Sequence, residues 1–119
     1  MNNKRTLIIM HATMEIGGVQ QNFVELIRYA TVSGHRVIWL YKKPMRLAKA
    51  YVDISDKVEC VDYFFDSSLE LKCPSLYVGE GESVVWLTST PKDMHLTLGY
   101  CNNNKELDIT PLYIVSNTK

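Results

Sequence analysis

Two apolar runs with an amphipathic stretch between them constrain this chain more than any other feature. "TLIIMHAT", residues 6–13, is nearly continuous in apolar side chains. Such a run suits a strand covered on both faces, as in the middle of a parallel sheet. Val19, Phe23, Leu26, Ile27 and Ala30 then recur at helical spacing and mark the apolar stripe of a helix laid on a sheet. Gly34 suits the left-handed residue just beyond a helix end, so the helix is predicted to stop near Ser33. Val37, Ile38, Trp39 and Leu40 follow within a second strand over 36–41. Strand, helix and strand within about 35 residues make a βαβ unit, whose crossover is expected to be right-handed.

The rest of the chain extends this pattern. Pro44 opens a predicted short helix to about residue 52, and "KVECVDYFF" (57–65) reads as a third strand. "LKCPSLYVGEGESVVWLTST" carries two apolar runs about a Gly79-Glu80-Gly81-Glu82 turn. It is either a hairpin or a loop feeding a strand at 83–88, with residues 76–78 left unassigned. Pro91 starts a helix predicted to about residue 100, with Asp93 placing negative charge in its first turn. "CNNNKELD" reads as a polar turn and "TPLYIVSNT" as a last strand. The expected fold class is therefore α/β: a Rossmann-like three-layer α/β/α arrangement with a mainly parallel sheet and helices on both faces. A last strand without its following helix leads to the expectation that the natural protein continues past Lys119.

Composition narrows the class of partner. The 119 residues fit one domain, and with a formal net charge of +0 no global field favours nucleic acid. Leu7 to Met10 is too short for a signal-peptide core, and no apolar run reaches the roughly 18 residues that span a bilayer. The expected location is the cytoplasm, with any membrane contact peripheral and at the inner face. Cys60, Cys73 and Cys101 are widely spaced and odd in number, which gives neither a disulfide framework nor a zinc-binding spacing.

The loop after the first strand holds the principal candidate site. Gly17 and Gly18 remove side chains where the backbone turns into a helix, and the free N–H groups of a helix start can meet an anion such as phosphate. Taken alone, the pair is more simply a tight strand-to-helix turn. The loop lacks the third glycine of a dinucleotide fingerprint and the Gly-Lys-Ser/Thr of a Walker A loop.

Joined to the helix and the second strand after it, the glycine loop becomes a more specific signal. "IGGVQQNFVELIRYATVSGHRVIWLY" resembles the opening βαβ unit of the GT-B glycosyltransferases, in particular the family 4-like group of retaining enzymes. Gly17, Gly18, Val19, Leu26, Gly34, His35 and Val37 occupy the positions of that pattern, over about thirty residues. The resemblance implies an enzyme that moves a sugar from a nucleotide-sugar co-substrate to a glycan or lipid-linked acceptor. It implies two Rossmann-like domains about a cleft, of which this chain is the amino-terminal, acceptor-side half, inactive without its carboxyl-terminal donor-binding domain. The paired glutamates of that family's donor half do not occur here, and no Asp-x-Asp suggests a metal-dependent transferase, so neither metal nor other cofactor is expected. The chain also departs from the family: many members carry a histidine near the end of the fourth strand, where "VVWLTST" has none.

Within that frame Gly17 and Gly18 face the donor diphosphate, and no residue is assigned a catalytic role. His11, Glu15, Ser89 and Thr90 are candidate cleft or acceptor residues, the last two as hydrogen-bond donors to sugar hydroxyls. His11 is more simply a satisfied, partly buried side chain, and Glu15 a solvated loop carboxylate. His35, directly after the cap glycine, falls at the edge opposite the cleft and reads as structural, and His95 falls on a solvated helix face. Lys42, Lys43, Arg46 and Lys49 form the local basic cluster, either a solvated helix face or a contact for anionic lipid or a lipid-diphosphate acceptor. Two other readings stand beside the transferase domain: a stand-alone Rossmann-like binding module or one subunit of a split two-chain glycosyltransferase, and a non-enzymatic flavodoxin-like scaffold. The scaffold reading is weakened because the acidic pair of a phospho-receiver is missing after the first strand.

Overall fold

A computed structural model describes residues 5–10, 18–42 and 58–114. The first strand, β1 (Thr6–Met10), lies between β2 (Arg36–Lys42) and β5 (Ser83–Thr88) and is parallel to both. A strand with neighbours on both sides and a layer on each face meets no water, and Ile8, Ile9 and Met10 are all fully buried. Each such side chain contributes on the order of 1.5–3 kcal/mol of hydrophobic stabilisation. Residues 11–13 of the expected strand lie outside the described residues.

The sheet is completed by β3 (Glu59–Phe65), β4 (Leu71–Lys72) and β6 (Asp108–Tyr113), in the order β4-β3-β2-β1-β5-β6. Among the described strands only β4 runs antiparallel to its neighbour. Alternate strand residues face opposite layers. On one face, Ile9, Val37, Trp39 and Leu87 pack with Phe23, Ile27 and Ala30 of helix α1 (Gly18–Val32). The Phe23 ring stands edge-on to Trp39 at 6.2 Å between centroids. On the other face, Ile8, Met10, Ile38, Leu40 and Trp86 pack with Leu96 of helix α2 (Pro91–Asn103).

The strand order accounts for this division. α1 carries the chain from β1 to β2 in one direction across the sheet, and α2 carries it from β5 to β6 in the other. Two crossovers of the same hand that step in opposite directions place their helices on opposite faces. The result is an α/β protein with a mostly parallel six-stranded sheet and a helix on each face, compatible with a Rossmann-like layout. The further helix predicted from Pro44 to about residue 52 lies outside the described residues.

Several expectations change. Of the two readings of the Gly79 to Glu82 segment, the loop feeding a strand at 83–88 is the one found: Glu82 N–H donates to the Gly79 carbonyl at 3.2 Å in a turn, and no hairpin forms about it. Residues 76–78 stay irregular while Val78 and Cys73 are buried in the α2-face core, so burial rather than strand pairing accounts for the apolar run. The extra strand is instead Leu71–Lys72, a two-residue antiparallel edge on β3. "CNNNKELD" is not all turn: α2 continues through Asn103, and Asn104 ends it by donating from Nδ2 to the Tyr100 carbonyl at 2.9 Å. The last strand accordingly begins earlier than expected, at Asp108.

The amino edge of the sheet is fastened locally. Gly34 takes φ 83°, the left-handed conformation predicted for it. His35 N–H bonds back to the Ala30 carbonyl at 2.9 Å and Gly34 N–H to that of Thr31 at 3.1 Å, the paired bonds of a Schellman helix end. His35 Nδ1 then accepts from the backbone N–H of Arg5 at 2.9 Å, which ties the end of α1 to the start of β1.

Next to it, Arg36 reaches both ways across the strand starts. Its Nη2 donates to Glu59 Oε1 at 2.9 Å and its Nη1 to Glu82 Oε2 at 3.0 Å, linking β2 to β3 and to the residue before β5. The bond to Arg36 holds the Glu59 carboxyl below its usual value of 4.5. A carboxylate with a lowered folded pKa stabilises above its unfolded pKa, and that contribution disappears as pH falls through the folded value. Because the Glu59 side chain is about half exposed (51%), the pair falls in the screened range of roughly 0.2–1 kcal/mol. Urea unfolding should show Glu59→Gln less stable than wild type at pH 7 by about that amount. The gap should narrow as pH falls below the ordinary carboxyl value of 4.5, and a gap that does not narrow with acidification would exclude the ion pair as its source.

Candidate functional site

All the long strands end at one edge of the sheet, and the chain turns into both helices there. Register pairs Met10 with Leu40, Ile9 with Leu87, Lys42 with Tyr63 and Thr88 with Tyr113, so these strand ends are level. From β1 the chain steps through α1 toward β2 and β3, while β5 and β6 lie on the other side. The connections thus diverge between the carboxyl ends of β1 and β5, where open α/β sheets form their ligand crevice.

The start of α2 forms the best-defined part of this edge. Thr90 is extended, at φ −132°, and its Oγ1 accepts from Asp93 N–H at 3.1 Å; Pro91 occupies the first turn. Thr97 Oγ1 donates to the Asp93 carbonyl at 2.8 Å one turn later. Asp93 is buried, and Tyr63 OH at the end of β3 donates to its Oδ1 at 3.3 Å. Burial, reinforced by the negative charge of Asp93, raises the Tyr63 phenol far above its ordinary value of 10, so it stays a protonated donor at all physiological pH.

A cavity of about 160 Å³ opens beside these groups, between the ends of β2, β3 and β5 and the first turn of α2. Tyr63 and Asp93 line it from the buried side, Ser89 and Thr90 from the end of β5. Lys42 and Lys92, both exposed, reach over the same Phe65 ring, with Nζ at 4.7 and 4.8 Å from its centroid. Cation–π contacts of this kind hold each ammonium loosely in place. The cavity thus offers two cations, hydroxyl groups and one carboxylate, a set for a small, polar, negatively charged group.

Of the candidate residues read from the sequence, Ser89 and Thr90 line this cavity. The Thr90 side-chain oxygen is already used as the cap of α2, but its O–H proton is left to donate. Gly18 is the first residue of α1. Gly17, His11 and Glu15 lie outside the described residues, as do Lys43, Arg46 and Lys49 of the basic cluster; Lys42, its first member, ends β2. His35 is at the opposite edge with a structural bond, and His95 is exposed on α2.

Tyr63, Phe65, Lys92 and the inward role of Asp93 were not anticipated. The alternation in "VDYFF" places Tyr63 and Phe65 on one face, and Thr90-Pro91-x-Asp93 signals a capped helix, but that these meet is a consequence of β3 and β5 sharing a sheet. No thiol is activated: burial raises all three cysteines, Cys73 to about 11. Among the described residues no group of three or more His, Cys, Asp or Glu could hold a metal, and no helix is long and apolar enough to cross a membrane. Compared with protein-family models, curated proteins and solved structures, the chain finds no match.

Proposed function

We propose that this chain is the Rossmann-like, amino-terminal domain of a GT-B glycosyltransferase of the retaining, family 4-like kind. In this reading a sugar passes from a nucleotide-sugar to a glycan or lipid-linked acceptor, with a carboxyl-terminal donor-binding domain forming the other wall of the cleft. The protein acts in the cytoplasm, with peripheral contact at the inner face of the membrane, and needs no metal.

One observation carries the reading. The stretch that resembles the family spans one βαβ unit, with Gly18 opening α1 at the carboxyl edge beside the divergence of β1 and β5. Its other half, Gly34 and His35, closes the same helix at the far edge. Sugar transfer with a diphosphate leaving group requires stabilisation of developing negative charge, and N–H groups at a helix start supply it without reorganisation. Ser89 and Thr90 line a cavity at the same edge, and in this reading their hydroxyl groups serve as donors to the acceptor sugar.

The test is a product assay. The chain joined to a donor-binding domain is expected to release nucleoside diphosphate from a nucleotide-sugar in the presence of a glycan or polyprenyl-diphosphate acceptor, and the chain alone is not. No nucleotide-sugar binding by calorimetry and no product from the joined protein would rule the reading out.

A further inference from the structure

We propose that the cavity at the start of α2 is a binding site for a phosphoryl group, held by Lys42 and Lys92 and hydrogen-bonded by Ser89. The inference goes beyond the transferase reading and stands without it, because it rests on side chains outside the glycine loop. Lys42 comes from the end of β2 and Lys92 from α2, yet both Nζ atoms lie within 5 Å of one Phe65 centroid. Two like charges therefore share a space about one Debye length across, roughly 10 Å at 0.1 M salt. Among the described residues neither lysine forms an ion pair. An oxyanion between them replaces their mutual repulsion with two charge-assisted hydrogen bonds.

The surroundings favour a phosphoryl group. At about 160 Å³ the cavity is below the usual 300–1,000 Å³ of pockets for whole organic ligands, and suits a compact anion with its ester group directed outward. Asp93 is the acid that lines it, and against its one negative charge the two ammonium groups leave the lining net positive. The helix start adds little to the attraction: Pro91 has no N–H and those of Asp93 and Met94 are bonded to Thr90, which leaves that of Lys92. A phosphoryl group reaches such a site either on a soluble phosphate ester or on a lipid headgroup, and both present the same oxygens.

The test titrates the full chain with inorganic phosphate at constant ionic strength and follows the backbone amide shifts of Ser89, Thr90 and Lys92. Saturable shifts centred on these residues are expected, with affinity at least tenfold weaker in the Lys42→Gln/Lys92→Gln double variant, whose replaced side chains are both exposed. Lys72→Gln, which removes a charge paired with Glu70 away from the cavity, should leave the titration unchanged. Chloride reproducing the shifts, equal affinity in the double variant, or an equal loss from Lys72→Gln would each overturn the proposal. Competition by phosphatidic acid vesicles, against phosphatidylcholine vesicles as control, identifies a lipid headgroup; phosphate binding that such vesicles leave intact identifies a soluble ester. Phosphate binding by the chain, together with no sugar transfer by the protein joined to its donor-binding domain, would remove the transferase reading and leave this one standing.

Discussion

Replacing Trp86 with alanine is expected to destabilise the protein by about 3–5 kcal/mol, the range for removing a large aromatic side chain from a closed core. Trp86 lies in the middle of β5 with no exposed surface, beside Ile8 of β1 in register and below α2. Its ring packs on Tyr100 of α2 at 5.2 Å between centroids. The cavity left by alanine opens between two parallel strands and a helix anchored at both ends, so little collapse can fill it. A single domain with a total stability on the order of 5–15 kcal/mol would lose about a fifth or more of it. Urea denaturation should show a large drop in midpoint with little change in slope. A loss under about 1 kcal/mol would mean that α2 does not seal this face. Trp86→Phe is the gentler control: it keeps an aromatic ring and removes an indole N–H that has no hydrogen-bond partner among the described residues.

The second large effect is on function. Gly18→Val should leave unfolding close to that of the parent, because Gly18 is the first residue of α1, ahead of Phe23, Ile27 and Ala30, which pack the helix on the sheet. Under the proposed function the same change should lower sugar transfer by about a hundredfold or more. A branched side chain at the helix start keeps a diphosphate from its N–H groups, and losing one such donor costs on the order of 10²–10³ in rate. The measurement is turnover of the protein joined to its donor-binding domain, alongside a thermal melt. Unchanged turnover would reduce the loop to a strand-to-helix turn.

These two predictions draw on different levels of information. The βαβ unit was legible from residues 6–41 because its signals are local: an apolar run, a helical stripe, a glycine at the helix end and a second apolar run. Burial of Ile8 to Met10 and the left-handed Gly34 follow from those signals alone. The middle was not legible. Leu76 and Val78 are as apolar as strand residues but fill the α2-face core from an irregular segment, while the short β4 has no pattern long enough to read. The end of α2 lies within the polar residues that read as a turn, where Asn104 closes the helix by a bond to the Tyr100 carbonyl.

The elements and their facing sides were thus set along the chain, residue by residue, since spacing of apolar groups decides which side of a helix or strand leaves water. Neighbourhood across the sheet is another matter. Lys42, Phe65 and Lys92 are separated by some fifty positions, and no local preference brings two ammonium groups to one ring. They meet because β3 and β5 are placed on opposite sides of the β2–β1 pair and their carboxyl ends are level, with α2 starting directly after β5. Chain order cannot encode that meeting without strand order, which is settled only when the whole sheet closes its two cores.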